Sequence, residues 1–262
     1  MILAGSPTWH SGVEIKSARE LALMRQAGKI TALALAEMRA NIRPGLTTRQ
    51  LDAIAEKVIL QHGAKPAFKG YPGPYPFPNA TTISVNDELV HGIPGPRVLR
   101  EGDLVSLDCG TLYQSYYADS AVSVGVGACK PIVERLLAVT ENAMWAGIAQ
   151  MKPGRRTGDV SAAIQAYVEG YGFKVVREYT SHGIGRHMHE DPSVPNYGKA
   201  GTGLRLRSGM TIAIEPMVLV GTRETRLRPD QWTVVSEDGS LTAHFEHTVA
   251  VTEGEPEILT KP

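Results

Sequence analysis

Four acidic residues lie in stretches of the sequence that otherwise have the character of apolar β-strands. Asp108 and Asp119 belong to residues 105–124, Glu215 follows Met-Thr-Ile-Ala-Ile, and Glu246 lies in Leu-Thr-Ala-His-Phe-Glu-His-Thr-Val. A carboxylate is seldom buried without a partner, and few Lys or Arg residues lie in these strands to provide one. The pattern therefore indicates a metal site rather than a set of salt bridges.

The stretch 105–124 has the pattern of two strands joined by a turn near Tyr113 and Gln114. This turn would place Asp108 directly opposite Asp119 on an antiparallel pair. Directly opposed residues have Cβ atoms about 4.5–5.5 Å apart, where two like charges are destabilising unless a shared proton or a cation compensates. A turn shifted by one residue, with both carboxylates simply solvated, fits this stretch equally well.

The candidate ligands favour particular metals. Four carboxylates carry a charge of −4, which two divalent ions would balance, and His182, in Ser-His-Gly-Ile-Gly, adds an imidazole. Mixed carboxylate and imidazole ligands suit Mn, Fe(II), Co or a catalytic pair of Zn ions, rather than structural zinc or calcium. Two such ions about 3.5–4 Å apart, bridged by a water, are a common arrangement for hydrolysis. We therefore predict a dinuclear hydrolytic centre.

Two further histidines are candidates for the same site. His91 begins a His-Gly-Ile element that recurs at His182, and His189 follows His182 by seven residues in a Gly-rich segment. A single His near a loop is more often a surface or hydrogen-bonded residue than a catalyst. This interpretation applies to His10, His62, His187, His244 and His247.

The composition is that of an ordinary globular protein and excludes several classes of partner. Among 262 residues, 27 Lys and Arg balance 27 Asp and Glu, with 42% hydrophobic and 21% charged residues. Without a basic surplus or polybasic stretches, we expect no membrane partner and no specific nucleic acid. Cys109 and Cys129 are too few and too far apart for a disulfide or zinc framework. With no secretory signal and no apolar run near about 18 residues, the expected location is the cytoplasm.

Helix signals divide the chain into two similar halves. A capping box beginning at Ser17 predicts a helix to about residue 40, and a similar signal at Thr47 predicts a second helix that ends at Gly63. The second signal recurs 109 residues later and ends at Gly172, after a helical segment at about 130–150. The order implies two modules related by internal duplication.

The repeat extends into the strands. In both halves a Gly stands six residues before an acid in an apolar strand, at Asp108 and at Glu215. Strands that cluster after helices, rather than alternating with them, favour an α+β class with largely antiparallel strands.

These residues, taken in order, resemble the type I methionine aminopeptidases over about residues 15–258. The most specific matching pieces are 84–94, Asp108 with Asp119, 182–185, 189–192, 214–217, 232–233 and 246–248. The resemblance implies the pita-bread fold, an α+β class with a pseudo-two-fold antiparallel sheet and helices on its outer face. It also implies a short tail of residues 1–14 and a single catalytic domain at 15–262, with halves at about 15–128 and 129–258.

The resemblance implies a role for each candidate residue. It makes five residues ligands of two divalent metal ions (Co, Fe(II), Mn or Zn): Asp108, Asp119, His182, Glu215 and Glu246. Glu215 would also move a proton between a metal-activated water and the leaving amine. His91 would contact the substrate and assist the leaving nitrogen, while His189 would hydrogen-bond the substrate carbonyl. Trp232 and Tyr71 would contribute to the pocket for the Met side chain.

The implied activity is removal of the initiator Met from nascent proteins with a small second residue. The implied partners are N-terminal Met peptides and nascent chains, and the protein is expected to be a monomer. If metal ions neutralise four acids, the remaining 23 acids face 27 basic residues, an exterior charge of about +4 that predicts weak attraction to the ribosome surface. Two alternatives stay open: a noncatalytic binding protein of this fold, which the complete ligand set argues against, and a dipeptidase or proline-specific hydrolase.

Spacing supports the type I subclass. His182 and Glu215 are 33 positions apart, too few for the long insertion of type II members. Prolidases share the ligands but add a large N-terminal domain, whereas only about 16 residues precede the first predicted helix.

Several positions depart from the common pattern of the family. Phe68 and Thr82 stand near positions where bacterial relatives often have Cys, Ser181 replaces a usual Gly, and Met188 replaces a common aromatic residue. The Pro-rich segment 71–78 is longer than usual. These changes leave the metal ligands intact and affect the shape of the Met pocket.

Overall fold

The computed structural model describes residues 10–261, so residues 1–9 of the predicted tail lie outside the described residues. Its helices are α1 Ala18–Asn41, α2 Thr48–Gln61, α3 Pro131–Ile148 and α4 Thr157–Gly170. Ser17 and Thr47 cap α1 and α2, each in a capping box with the residue three positions on, which satisfies backbone N–H groups at the helix start. The four predicted helices are confirmed. No helix in residues 10–261 is long and apolar enough to cross a membrane.

Short strands make up most of the remaining structure. The strands are β1 Lys65–Pro66, β2 Thr82–Val85, β3 Glu88–Val90, β4 Leu104–Tyr113, β5 Tyr116–Gly125, β6 Lys174–Val175, β7 Thr180–Gly183, β8 Glu190–Pro195, β9 Thr211–Ile214, β10 Met217–Leu219, β11 Thr225–Leu227, β12 Val234–Ser236, β13 Thr242–His244, β14 Glu246–Ala250 and β15 Glu257–Ile258.

The principal sheet has nine strands, and its strand pairs are antiparallel. The order is β1-β4-β5-β14-β9-β7-β8, with β2 beside β4 and β15 beside β14. The structure also contains two three-stranded sheets, with the strand orders β13-β10-β6 and β11-β12-β3. Helices combined with antiparallel strands in this way form an α+β structure, as predicted.

The helices cover one face of the principal sheet. Leu107 and Cys109 of β4 are buried in a cluster with apolar residues of α1 and α2, and Ile212 and Ile214 of β9 are buried with residues of α3 and α4. Because successive side chains of a strand point to opposite faces, Asp108 points away from the helices. The acids predicted for the site therefore lie on the face that the helices leave uncovered.

Equivalent contacts stabilise the two halves. The N–H of Gly45 donates to the carbonyl of Leu99, and the N–H of Gly154 donates to that of Leu206. Both glycines have a positive φ, 90° and 86°, which glycine adopts without steric cost. Strands β2, β4 and β5 lie in the order that β7, β9 and β14 repeat, and β5 lies beside β14. The sequence repeat thus corresponds to two modules that meet along these two strands.

The β4–β5 hairpin differs from its predicted register. Tyr113 pairs with Tyr116, so Gln114 and Ser115 form the turn, and Asp108 pairs with Ala121 rather than with Asp119. Both turn residues have positive φ, 46° and 70°, as a two-residue turn of type I′ requires. Direct opposition of the acids is therefore wrong, because the turn lies one residue later. The alternative is right about a turn shifted by one residue but wrong about solvation, since Asp108 and Asp119 are only 7% and 5% exposed.

Candidate metal centre

One pocket contains every residue that the sequence predicts for the site. It encloses about 710 Å³ when the space open to solvent is included. The predicted residues that line it are Tyr71, His91, Asp108, Asp119, His182, His189, Glu215, Trp232 and Glu246. The other lining residues are Phe68, Phe77, Thr82, Val90, Tyr179, Thr180, Met217 and His244.

Strand register brings the acids together. Ala121 of β5 pairs with Asp108 of β4 on one side and with Glu246 of β14 on the other. Asp119 lies two residues before Ala121, and side chains two residues apart share a face of the sheet. The three carboxylates therefore belong to three adjacent strands at one place on the sheet.

The second half of the chain supplies the remaining ligand candidates. His182 on β7 pairs with Ala213 of β9, and Glu215 directly follows that strand. The backbone of Glu215 is held on both sides, because its N–H donates to Ser181 Oγ at 2.9 Å and its carbonyl accepts from Asn196 Nδ2 at 3.1 Å. Ser181, a departure from the family pattern, thus supports a residue of the site.

The donor atoms converge at distances suited to a metal ion. One ligand atom each from Asp119, His182 and Glu246 lie within 4.8 Å of one another, and His182 Nε2 lies 3.3 Å from Glu215 Oε1. The ion pairs found among residues 10–261 join none of the four acids to a Lys or Arg. This excludes basic side chains of the described residues as the compensating charge.

Burial without a cation disfavours the charged form of all four acids. It raises the pKa of Asp108 to about 7. Burial, followed by the charge of Asp108, raises the pKa of Asp119 and of Glu215 well above their ordinary values. Burial and the charge of Asp119 do the same to the pKa of Glu246. A divalent ion among them would reverse this effect by stabilising the carboxylates.

Unsatisfied atoms support the same interpretation. Asp108 Oδ1 and Glu246 Oε1 are buried and have no hydrogen-bond partner within residues 10–261. The other oxygen of Asp108 accepts a hydrogen bond from Thr82 Oγ1 at 3.1 Å. A buried carboxylate oxygen left unpaired costs free energy, so the donor set fits a divalent metal ion.

His182 is oriented as a neutral ligand. Its Nδ1 lies 2.9 Å from the carbonyl oxygen of Gly183, while Nε2 faces the acids. Burial lowers its pKa to about 4, and the neutral imidazole is the form that binds metals. A hydrogen bond from one ring nitrogen to a carbonyl commonly orients a metal-binding histidine.

His91 and His189 both line the pocket that contains this centre. His91 follows β3 with a positive φ of 59°, and its ring meets Tyr179 edge-on at 5.9 Å. His189 packs against His182 with ring centroids 4.3 Å apart, and Tyr71 Oη lies 2.9 Å from its Nδ1. Burial lowers the pKa of His91 to about 4 and that of His189 well below the ordinary value.

The Pro-rich segment 71–78 packs against Trp232 and forms an aromatic wall of the pocket. Phe77 meets the indole edge-on at 5.2 Å, and Tyr75 Oη donates to the backbone oxygen of Asp230 at 2.8 Å. The Asp230 carboxylate accepts bonds from the backbone N–H groups of Trp232 and of the next residue. The sequence predicts Trp232 and Tyr71 as lining residues but gives no sign of this packing.

Among the histidines interpreted as surface or hydrogen-bonded residues, the interpretation is wrong for His244. This residue is 3% exposed, and its Nε2 points at Glu215 Oε2 and Glu246 Oε2, at 3.6 and 4.0 Å. Burial lowers its pKa to about 3. Strand alternation could have revealed it, because His244 precedes Glu246 by two residues and such neighbours share a face. By contrast, His10 stacks on His187, while His62 and His247 have hydrogen-bond partners.

The fold and the centre together define a class of protein: a metal-dependent hydrolase built on an antiparallel sheet with helices on one face. A model of metallopeptidase family M24 matches residues 22–253, and the chain belongs to this family. The predicted pita-bread fold is thereby confirmed.

Two methionine aminopeptidases are similar to the chain over nearly their whole length. The chain is 49% identical to methionine aminopeptidase 1 of Bacillus subtilis over 94% of this chain and 98% of that one. It superposes on the crystal structure of methionine aminopeptidase from Thermotoga maritima with a TM-score of 0.93 and 47% identity, covering 96% and 100% of the two chains. The prolidase from Pyrococcus furiosus is similar at 25% identity and a TM-score of 0.77, with 65% of that chain covered.

Proposed function

We propose that this protein is a methionine aminopeptidase that hydrolyses the peptide bond after an N-terminal Met. The observation that carries the proposal is a cluster of four acids, three of them buried and Glu215 12% exposed, without a basic partner in the described residues. The cluster lies beside His182 in the pocket that the aromatic wall lines. Relatives that are 44–49% identical over nearly the whole chain bear the same name. The natural substrates would be peptides and nascent proteins whose second residue is small.

The metal ligands would be Asp108, Asp119, His182, Glu215 and Glu246. Their four carboxylates match the charge of two divalent ions, and the mixed donor set accommodates Co, Fe(II), Mn or Zn. When bound, such ions supply Lewis acidity and lower the pKa of water.

Protein residues would orient the peptide and move the proton. Glu215 would hold a proton between the attacking water and the leaving amine, a role that suits a carboxyl group placed among the other ligand candidates of the pocket. His189, beside Tyr71, would hydrogen-bond the scissile carbonyl. His91, which lines the same pocket, would contact the substrate and assist the leaving nitrogen.

The Met side chain would lie against the aromatic wall. Tyr71 and Trp232 line this part of the pocket together with Phe68 and Phe77. An apolar pocket separates side chains that differ by one methylene by only about 1–3 kcal/mol. Slow removal of residues that resemble Met, such as norleucine, is therefore expected.

A peptide assay tests the proposal. The protein is depleted of metal with a chelator, supplied with Co, Mn, Fe(II) or Zn, and assayed for Met release from Met-Ala-Ser, with Ala-Pro peptides in parallel. We expect hydrolysis of Met-Ala-Ser that requires metal and is lost in Asp108→Ala. Preferential hydrolysis of Ala-Pro would identify a proline-specific enzyme, and no hydrolysis with any metal would favour a noncatalytic binding protein.

We further propose that the enzyme acts in the cytoplasm as a monomer with one catalytic domain at 15–262. Support for a single domain comes from the central sheet, in which β5 and β14 from the two halves are paired. An exterior charge of about +4, from 27 basic residues against 23 acids outside the centre, favours weak ribosome association at low salt. Co-sedimentation with ribosomes at two salt concentrations tests this, and absence of binding at low salt would refute it.

A further inference from the structure

We infer that His244 Nε2 is a sixth metal ligand, so that this centre contains two imidazoles rather than one. The inference rests on the proposed metallopeptidase function and adds a residue to its ligand set. It concerns a side chain on β13, the strand that precedes the one beginning with Glu246.

The backbone holds the His244 ring in the pocket. The N–H of His244 donates to Ser123 Oγ at 2.9 Å, and the same hydroxyl donates to the carbonyl of His244 at 2.8 Å. On the other side, His244 pairs with Met217 of β10. With both backbone polar groups fixed and 3% of the residue exposed, the imidazole has little freedom to turn toward solvent.

The ring nitrogen that faces the acids makes no hydrogen bond with the part of the chain that the structure describes. His244 Nε2 is buried and has no hydrogen-bond partner among residues 10–261. An unpaired buried nitrogen costs free energy, because it has lost its hydrogen bond to water. The pocket position and this cost together indicate that Nε2 is completed by something that the pocket binds.

The distances favour a shared metal ion over direct hydrogen bonds. Nε2 lies 3.6 Å from Glu215 Oε2 and 4.0 Å from Glu246 Oε2, both too long for a hydrogen bond. Two atoms bound to one ion at about 2.0–2.2 Å lie about 3–3.5 Å apart, so a small contraction would suffice. His182 Nε2, 3.3 Å from the other oxygen of Glu215, shows this spacing already. Each oxygen of the Glu215 carboxylate thus faces one imidazole.

A second imidazole would change the metal preference. An imidazole ligand raises the affinity of a site for Zn, Fe or Co more than its affinity for Mn, because Mn is well suited to oxygen ligands. His244 should therefore contribute more to the affinity for Zn or Co than to the affinity for Mn.

Metal binding by His244→Gln and His244→Ala, measured calorimetrically with Zn and Mn, tests the inference. We expect at least about a tenfold loss of Zn affinity at one site and a smaller loss for Mn. X-ray absorption of the Zn-loaded protein should show the imidazole contribution per ion falling by half. His91→Gln is the matched control, since it removes another pocket imidazole and should leave both measurements unchanged. Circular dichroism verifies that each variant is folded.

Unchanged Zn affinity and an unchanged imidazole signal in a folded His244→Gln variant would overturn the inference. A rise in KM for Met-Ala-Ser with metal binding intact would overturn it too, and would assign His244 to the substrate. The calorimetric and X-ray absorption readouts do not depend on turnover. Wild-type protein that binds metal but fails to release Met from any peptide would refute the proposed function. Metal binding by His244 could still be measured in that protein.

Discussion

The metal-free protein should become more stable when Asp108 is replaced by Asn, and the gain should depend on pH. The Asp108 pKa rises from 3.8 to about 7 on folding, a difference that corresponds to about 4 kcal/mol. Because the folded state binds the proton more tightly, this acid costs nothing below pH 4. Its cost grows as pH rises and is complete above pH 7. The free energy of unfolding of Asp108→Asn, relative to that of the wild type, should therefore rise by up to about 4 kcal/mol between pH 4 and pH 8.

The comparison must be made between variants because buried histidines act in the opposite direction. Burial lowers the pKa of His91 and of His182 to about 4, so each adds stability as pH rises from about 4 to 6.5 and none beyond. Subtracting wild type from Asp108→Asn removes this contribution. Above pH 6.5 the buried acids alone should lower the stability of the metal-free wild type.

Urea unfolding of chelator-treated protein at pH 4.5, 6 and 8 measures these differences. With saturating Zn the sign should reverse, because Asp108→Asn loses a ligand and ions that bind only the folded state stabilise it. A metal-free difference between the variants that stays constant from pH 4.5 to pH 8 would refute the reasoning.

Three further substitutions have distinct expected outcomes. Lys16→Met should destabilise the fold by about 3–5 kcal/mol. The substitution leaves the fully buried Glu190 without the lysine that contacts its Oε2 at 2.5 Å. Adding Glu190→Gln to the same chain should restore part of the lost stability in thermal melts. Gly92→Ala should abolish activity, because its Cβ would lie 2.4 Å from a backbone oxygen of β2. Gly170→Ala is the control and should retain activity, since Gly170 has open space around its Cβ position and no positive φ. Tyr71→Phe should lower kcat by about tenfold or more, since it removes the hydroxyl 2.9 Å from His189 Nδ1. If steady-state kinetics show a change in KM alone, Tyr71 belongs only to the Met pocket.

The elements of this fold that follow from local rules could be predicted from sequence. Ser17 and Thr47 each begin a helix because the residue three positions on completes a capping box. The acids could be found because a carboxylate in an apolar strand needs a partner wherever the strand is buried. The four acids meet in one pocket because the strands of the two modules pair with one another. The repeat in the sequence indicated that the two modules belong to one structure.

What could not be predicted depends on contacts between distant segments. The β4–β5 register was set by Gln114 and Ser115, which adopt positive φ without the Asn or Gly that usually marks such a turn. Strand alternation indicates that His244 shares a face with Glu246, but its approach to Glu215 depends on a contact between separate segments of the chain. The packing of the Pro-rich segment on Trp232 likewise joins residues more than 150 positions apart.

The pairing of β5 with β14 has an implication for the history of the protein. Each half contributes two acids, Asp108 and Asp119 from one and Glu215 and Glu246 from the other. A single half before duplication could therefore have assembled four carboxylates only as a homodimer, with its two-fold axis where β5 and β14 now meet. The two halves of the present chain are not equivalent in this respect, since His182, which lies with Asp119 and Glu246, comes from the second half.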